Sequence, residues 1–322
     1  MSSPAIYIQN PIKYDYKQLV KHVIESNPGF SGVIIYIEQY IEDSLHLNYI
    51  LSKYYSIARE AATASRNQST YKFDIDIIFN RPIDATVVSN WGIVFTWEQD
   101  SLDDLRSEFN VITIKSEQPN ESFKAEIETE SFKGQEFDTV AVGGTFDHLH
   151  DGHKILLSMA IFLTKKKLII GITGEQLLVK KKFHDQIESF ETRQSAVLKF
   201  IDLINVDPYI SIDIYQITDV CGPTGFVSDI DGLVLSRETA SGGEYVNNYR
   251  KEQGFSALKV IAIDVIGGEG GDKSNNWKGK LSSTDIREFE SNRSKRQFNH
   301  NETNGVQHDS VKRIKVDDKK EE

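Results

Sequence analysis

The stretch Val140-Ala-Val-Gly-Gly-Thr-Phe-Asp-His-Leu-His-Asp-Gly-His-Lys154 decides how the rest of the chain is read. A short apolar run ends in Gly143-Gly144, where the missing Cβ atoms let the chain turn sharply and let backbone N–H groups approach a ligand. His150-Asp-Gly-His153 then leads straight into Ile155, Leu156, Met159, Ala160 and Leu163, an apolar spacing that predicts a helix. Strand, glycine turn and helix in that order set two imidazoles around a helix N-terminus. Anions are favoured there, because the first N–H groups are unpaired and the helix dipole is positive. In a parallel sheet such a turn lies at the carboxyl edge, where open α/β folds bind ligands. The alternative makes His148, His150 and His153 separate surface or capping residues; the strand–turn–helix context favours a site.

Downstream, Leu168 to Thr173, Ser211 to Ile217, Gly232 to Leu235 and Ala257 to Ile266 read as strands, with helices over Lys154 to Thr164 and Thr192 to Ile204. That rhythm implies a parallel sheet with crossover helices. Upstream, Ala5 to Ile8, Gly32 to Ile37, Tyr71 to Phe79, Ala85 to Trp97 and Val111 to Lys115 are strand-like. Between them, Gln39 to Ser65 carries Leu47, Ile50, Leu51, Tyr54, Ile57, Ala58 and Ala61 at helical spacing. Ser101, followed by Asp103 and Asp104, reads as the cap and acidic first turn of another helix. The expectation is an α/β domain over 1–117, a polar linker over 118–136, a second α/β domain over 137–290 and a disordered tail over 291–322. No internal repeat is evident in the sequence.

The 322 residues are 39% hydrophobic and 26% charged, which fits a soluble globular chain with a polar tail. The net charge of -11 excludes a global basic field for nucleic acid, so any phosphate site must be built locally. The lone Cys221, in Cys-Gly-Pro-Thr-Gly, permits no intramolecular disulfide and reads as a turn residue in a reducing compartment. The N-terminus lacks a signal-peptide pattern, Ser2 rules out myristoylation, and the apolar stretch from Ile155 to Leu163 is too short to span a bilayer. A cytoplasmic protein without a membrane role is expected; the basic run Lys312-Arg-Ile-Lys315 admits a nuclear signal as well. Gly267-Gly-Glu-Gly-Gly-Asp-Lys-Ser274 looks like a P-loop, but Asp272 stands where glycine is needed and would repel phosphate, so it reads as a flexible loop. The Cys and His residues show no zinc-like spacing, and no metal site is expected.

Gly-Gly-Thr-Phe-Asp followed by His-x-Gly-His resembles the signature of the nucleotidyltransferase superfamily. Leu281-Ser-Ser-Thr-Asp-Ile-Arg287 resembles its Ser-Ser-Thr-x-x-Arg element, which forms a helix N-terminus that holds ATP phosphates. Alone, that run would read as an ordinary N-cap with a surface arginine. Ser236 to Gly243, Ser-x-x-Thr-x-x-Gly-Gly, is similar to the eukaryotic and archaeal type of phosphopantetheine adenylyltransferase. The resemblance covers about Asp138 to Glu288. It implies a Rossmann-like parallel sheet and transfer of the adenylyl group of Mg²⁺–ATP to 4′-phosphopantetheine, giving dephospho-coenzyme A and pyrophosphate.

On this resemblance His150 and His153 are the catalytic residues, and Gly143, Gly144, Thr145, Phe146, Ser282, Ser283, Thr284 and Arg287 hold the nucleotide. Arg237 and a lysine among Lys180, Lys181 and Lys182 hold the acceptor phosphate, although three adjacent lysines also fit a solvated charge run. Arg193 is a weaker candidate that also fits a solvent-facing helix start. The implied partners are ATP, 4′-phosphopantetheine and other enzymes of coenzyme A synthesis. Rival readings are a different acceptor (nicotinamide mononucleotide or a phosphorylated alcohol), a cytidylyltransferase, which usually carries Arg-Thr-x-Gly-Ile-Ser-Thr near its end, and a non-catalytic scaffold.

Overall fold

The computed structural model describes residues 3–66, 70–89, 91–101, 109–115, 130–205, 207–265 and 281–293. Most of the expected linker, the helix after Ser101, the glycine loop at 267–274 and nearly all of the expected tail lie outside the described residues.

Two five-stranded sheets organise the chain, and every strand pair in both is parallel. The first holds β1 (Ser3–Ile8), β2 (Gly32–Ile37), β3 (Asp74–Ile78), β4 (Trp91–Trp97) and β5 (Asn110–Ile114) in the order β3-β2-β1-β4-β5. The second holds β6 (Phe137–Gly144), β7 (Thr164–Thr173), β8 (Ser211–Ile217), β9 (Gly232–Ser236) and β10 (Lys259–Ile263) in the order β10-β9-β6-β7-β8. Counted within its own sheet, each runs third, second, first, fourth, fifth. Both therefore share the Rossmann-type winding, and each reverses direction beside its first strand, the place where such sheets open a crevice.

Helices α1 (Lys17–Ser26), α2 (Ser44–Ser65), a single turn α3 (Ala85–Val88), α4 (Asp151–Leu163), α5 (Phe190–Ile204), α6 (Ser241–Glu252) and α7 (283–293) complete the described fold. Local chemistry sets several starts. The Asp43 carboxylate accepts from the amides of Leu45 and His46 at α2, and Ser189 Oγ accepts from Thr192 at α5. The expected strand Ala85 to Trp97 is instead α3 followed by β4, because Asp84 Oδ1 accepts from the amide of Val87 and turns the chain first. Likewise Thr70–Lys72 is a 3₁₀ turn, and β3 starts only at Asp74. Helix α6 begins in Ser241-Gly-Gly and buries only Gly243, Val246 and Arg250, so its sequence carries little periodic signal. Gly243 is there because the helix lies close on β10: a Cβ would stand 2.8 Å from Val260 side-chain atoms.

Alternate strand residues face opposite layers. Ile6, Ile8, Val33 and Ile35 from the first sheet, and Val140, Val142, Leu168 and Ile170 from the second, share one buried core with residues of α1, α2, α4 and α5. Ala5, Tyr7 and Ile34 form the outer layer of one sheet, and Ala141, Ile169 and Leu233 that of the other. Because α2 packs on α4, the two sheets are joined through these helices. The described end of the expected linker also packs: Ser44 N donates to Phe132 O and Gln135 N to Phe162 O.

Candidate active site

At the carboxyl end of β6 the chain does what its glycines foretell. A Cβ at Gly143 would meet nothing closer than a carbonyl oxygen at 3.8 Å, so the space above the strand is open to a ligand. Phe146 and His148 then adopt left-handed backbone angles, φ 51° and 45°. Non-glycine residues hold such angles only where the surroundings enforce them. Here Asp147, fully buried, accepts from Glu188 N through Oδ1 (2.9 Å) and from Arg287 Nη1 through Oδ2 (2.6 Å). Its carbonyl accepts from Ser283 Oγ at 2.9 Å. Arg193 Nη1 donates to the carbonyls of Thr145 (2.8 Å) and Thr173 (2.9 Å). Arg193 is thus buried rather than solvent-facing, and it ties the turn to the end of β7.

The two motif histidines meet as a pair. Their rings stack at 3.9 Å and 25°, and Phe146 lies 5.3 Å from the His153 ring. Both Nδ1 atoms are buried without a partner, which leaves the opposite ring edges for the adjoining cavity. Burial pushes His150 down to about 4, a shift that Asp151 opposes and Arg59 reinforces. Burial, then His150 and Lys181, holds His153 well below the ordinary imidazole range. Both shifts favour the uncharged imidazole in the free protein, a ring with one N–H donor and one acceptor nitrogen. His148 lies apart from the pair, with its amide on Glu188 and its Nε2 on the Gln186 carbonyl.

A cavity of about 290 Å³ opens over this pair. Gly143, Gly144, Thr145, His150 to His153, Lys181, Leu281 to Thr284 and Arg287 line it. Two helix N-termini converge on it. His150 caps α4 without a side-chain hydrogen bond, so the first amides of that helix remain available. At α7, Ser282 and Asp285 form a capping box: Ser282 N and Oγ donate to the Asp285 carboxylate, and Asp285 N donates to Ser282 Oγ. The amides of Ser283 and Thr284 stay unclaimed among the described residues. Phe146 contributes by packing beneath His153 rather than by lining the cavity.

The structure separates the three lysines. Lys181 lines the cavity, donates to Thr145 Oγ1 at 2.8 Å and is lowered by burial, then by Arg287 and Arg193, with Asp147 opposing. Lys182 offers its carbonyl to Arg287 Nε, and Lys180 does not line the cavity. Arg237 lies outside the lining, its guanidinium bidentate on Asp264 at 2.7 and 3.0 Å. Arg287 sits in the wall, 2% exposed, with Nε and both Nη engaged, so it clamps the histidine turn, the lysine loop and α7 together. Ser236, Glu238 and Thr239 also line the cavity. Their signal is the Ser-x-x-Thr spacing, with Ser236 Oγ and Thr239 Oγ1 in hydrogen-bond contact at 3.0 Å. The result is an amide-rich pocket with Lys181 at its wall, inside an acidic protein.

Comparison with known proteins places this geometry. Residues 141–289 match the model of the cytidylyltransferase-like family. The chain is 38% identical over 260 residues to the phosphopantetheine adenylyltransferase of Saccharomyces cerevisiae, covering 80% of this chain and 82% of that one. It is 36% identical over 137 residues to the phosphopantetheine adenylyltransferase of Pyrococcus abyssi, covering 42% of this chain and 85% of that shorter one.

Proposed function

The chain belongs to the phosphopantetheine adenylyltransferase family, and from that premise we propose that it joins the adenylyl group of ATP to 4′-phosphopantetheine. The observation that carries the reading is the convergence of two helix N-termini, a stacked histidine pair and Lys181 on one cavity at the switch point of the second sheet. Every one of these groups donates to, or attracts, negative charge.

The reaction is an in-line displacement. A phosphate oxygen of the acceptor forms a bond to the α-phosphorus of ATP, the bond from that phosphorus to the β-bridging oxygen breaks, and pyrophosphate leaves with the electron pair. The acceptor phosphate is already anionic near neutral pH, so no protein base is needed, and catalysis reduces to positioning and charge stabilisation. His150 and His153 donate N–H groups to the phosphate that gains charge. The Gly143-Gly144 backbone and Thr145 border the reacting phosphates, and the amides of Ser283 and Thr284 at α7 take the triphosphate. Lys181 supplies a cation between nucleotide and acceptor. Arg287 keeps these elements in register. Arg237, held on Asp264 through Nε and Nη2 beside the lining residues Ser236 and Glu238, would meet the acceptor phosphate from the edge of the cavity.

The described residues include no group of three His, Cys, Asp or Glu side chains placed to hold a metal. Mg²⁺ would enter as part of the Mg²⁺–ATP substrate and neutralise charge on the departing pyrophosphate. No described helix is long and apolar enough to cross a membrane.

The test is pyrophosphate release from Mg²⁺–ATP with and without 4′-phosphopantetheine, with the product identified by mass. Pyrophosphate that appears only with the acceptor, together with the mass of dephospho-coenzyme A, is the expected result. Turnover with CTP but not ATP, or with nicotinamide mononucleotide but not phosphopantetheine, would replace this reading.

A further inference from the structure

Between the two motif histidines stands Asp151, at the first position of α4. A carboxylate beside a phosphate pocket is an electrostatic liability, since like charges at close range cost several kcal/mol when desolvated. Its side chain is 5% exposed and is claimed by a residue of the other sheet's layer. Arg59 of α2 donates through Nε to Oδ2 and through Nη2 to Oδ1, both at 2.7 Å. Arg59 is itself buried, and its Nη1 donates to the carbonyl of Thr70. The pair is planar, bidentate and shielded from water, the geometry in which an arginine–carboxylate contact is strongest.

We infer that Arg59 is a positioning residue for the active site: the first unit's helix α2 reaches across to lock the first turn of α4 and to cancel the charge of Asp151 next to the triphosphate. This gives the N-terminal unit a direct part in the reaction, and it rests on the function proposed above. Two consequences follow from one contact. Geometrically, Asp151 is flanked by His150 and Gly152, so fixing its carboxylate fixes the backbone that carries both imidazoles and the uncapped amides. Electrostatically, the neutralised pair leaves those amides and the helix dipole as the field that a phosphate meets.

A second tie between the units provides the comparison. Lys154 Nζ, one residue past His153, donates to Asp74 Oδ1 (2.6 Å), Asp76 Oδ1 (2.7 Å) and the Ile75 carbonyl (2.8 Å). That tie joins α4 to β3 but does not line the cavity. Were Arg59 merely glue, loosening either tie would act alike.

The experiment measures Mg²⁺–ATP binding by calorimetry and pyrophosphate release in the full-length protein carrying Arg59→Gln, Asp151→Asn, both together, or Asp74→Asn. Arg59→Gln leaves a bare carboxylate by the phosphates and weakens Mg²⁺–ATP binding about tenfold or more, with a fall in kcat. The double variant restores binding to within about threefold of wild type and Asp151→Asn alone binds at least as tightly as wild type, while kcat stays below wild type in both because the lock on the histidine backbone is gone. Asp74→Asn lowers the melting temperature without changing nucleotide affinity. Arg59→Gln binding like wild type, or a double variant no better than Arg59→Gln, would overturn the inference. If Arg59→Gln does not fold, Asp151→Asn decides: a tenfold loss of affinity there contradicts charge cancellation, and unchanged or tighter binding supports it. Wild-type protein that fails to bind Mg²⁺–ATP would overturn the proposed function, and this inference with it.

Discussion

Both sheets wind in the same order, and both reverse beside their first strand, yet the turns at that point are built differently. After β6, Gly143-Gly-Thr-Phe-Asp-His-Leu-His150 leaves a cavity, at the expense of left-handed backbone at Phe146 and His148. After β1, the corresponding stretch Gln9-Asn-Pro-Ile-Lys-Tyr-Asp-Tyr16 contains no left-handed residue. There Tyr16 fills the space: fully buried, it stacks on Trp97 at 4.3 Å, donates to Asp100 Oδ1 at 2.9 Å and accepts from Asn10 N at 3.2 Å. Topology dictates where a crevice can form; side chains dictate whether it holds a ligand or a tyrosine. The first sheet has the same winding with its switch point filled by core side chains, and its helix α2 reaches the second through Arg59.

That contrast can be broken most severely at His153. Alanine there removes a preorganised donor and should cost on the order of a hundredfold or more in turnover, with the circular dichroism spectrum unchanged. Wild-type turnover in a folded variant would remove the open turn from the chemistry. The buried histidines should also show in stability. The unfolded chain protonates His150 near 6.5 and the folded chain only near about 4, so within that window the unfolded state binds the extra proton and stability falls as pH drops. The loss is at most about 3 kcal/mol from His150, given 1.36 kcal/mol per pKa unit. Urea unfolding from pH 7 to about 4.5 should show a shallower decline for His150→Gln than for wild type.

Smaller effects sharpen the comparison. Lys181→Ala should raise the KM for ATP or acceptor about tenfold, as a single charge-assisted contact is worth roughly 1.5–3 kcal/mol. Lys180→Ala should stay within about twofold in the same steady-state assay, because it does not line the cavity. On the filled side, Tyr16→Phe removes the hydroxyl that joins Asn10 to Asp100 and should cost about 1 kcal/mol in denaturant unfolding. Its turnover should match wild type, the inverse of the His153 result.

What could be read from the sequence follows the range of the forces involved. Ile-rich strands and the Leu47-to-Ala61 stripe of α2 announce themselves through local periodicity, and β2 and β8 fall where their patterns place them. The histidine motif and the capped start of α7 are equally local. Helix α6 was hidden because Gly243 is fixed by its close approach to Val260 of the next strand, a contact that local periodicity does not record. Among three adjacent lysines only the loop's path selects Lys181, and only the approach of Asp264 shows that Arg237 has a partner. Arg59 and Asp151, 92 residues apart, carry no mutual signal in one sequence. The shared winding was equally invisible: it is a property of the backbone path, and the two switch-point stretches share no residue pattern.

The most direct test of the account follows a label. The protein is incubated with Mg²⁺, 4′-phosphopantetheine and ATP labelled either at the α- or at the γ-phosphate, with wild type and His153→Ala side by side. The account predicts that the α-label enters the acceptor product while the γ-label leaves in pyrophosphate, and that both fluxes collapse in the variant. Transfer of the γ-label to the acceptor, or α-label transfer undiminished without His153, would contradict it.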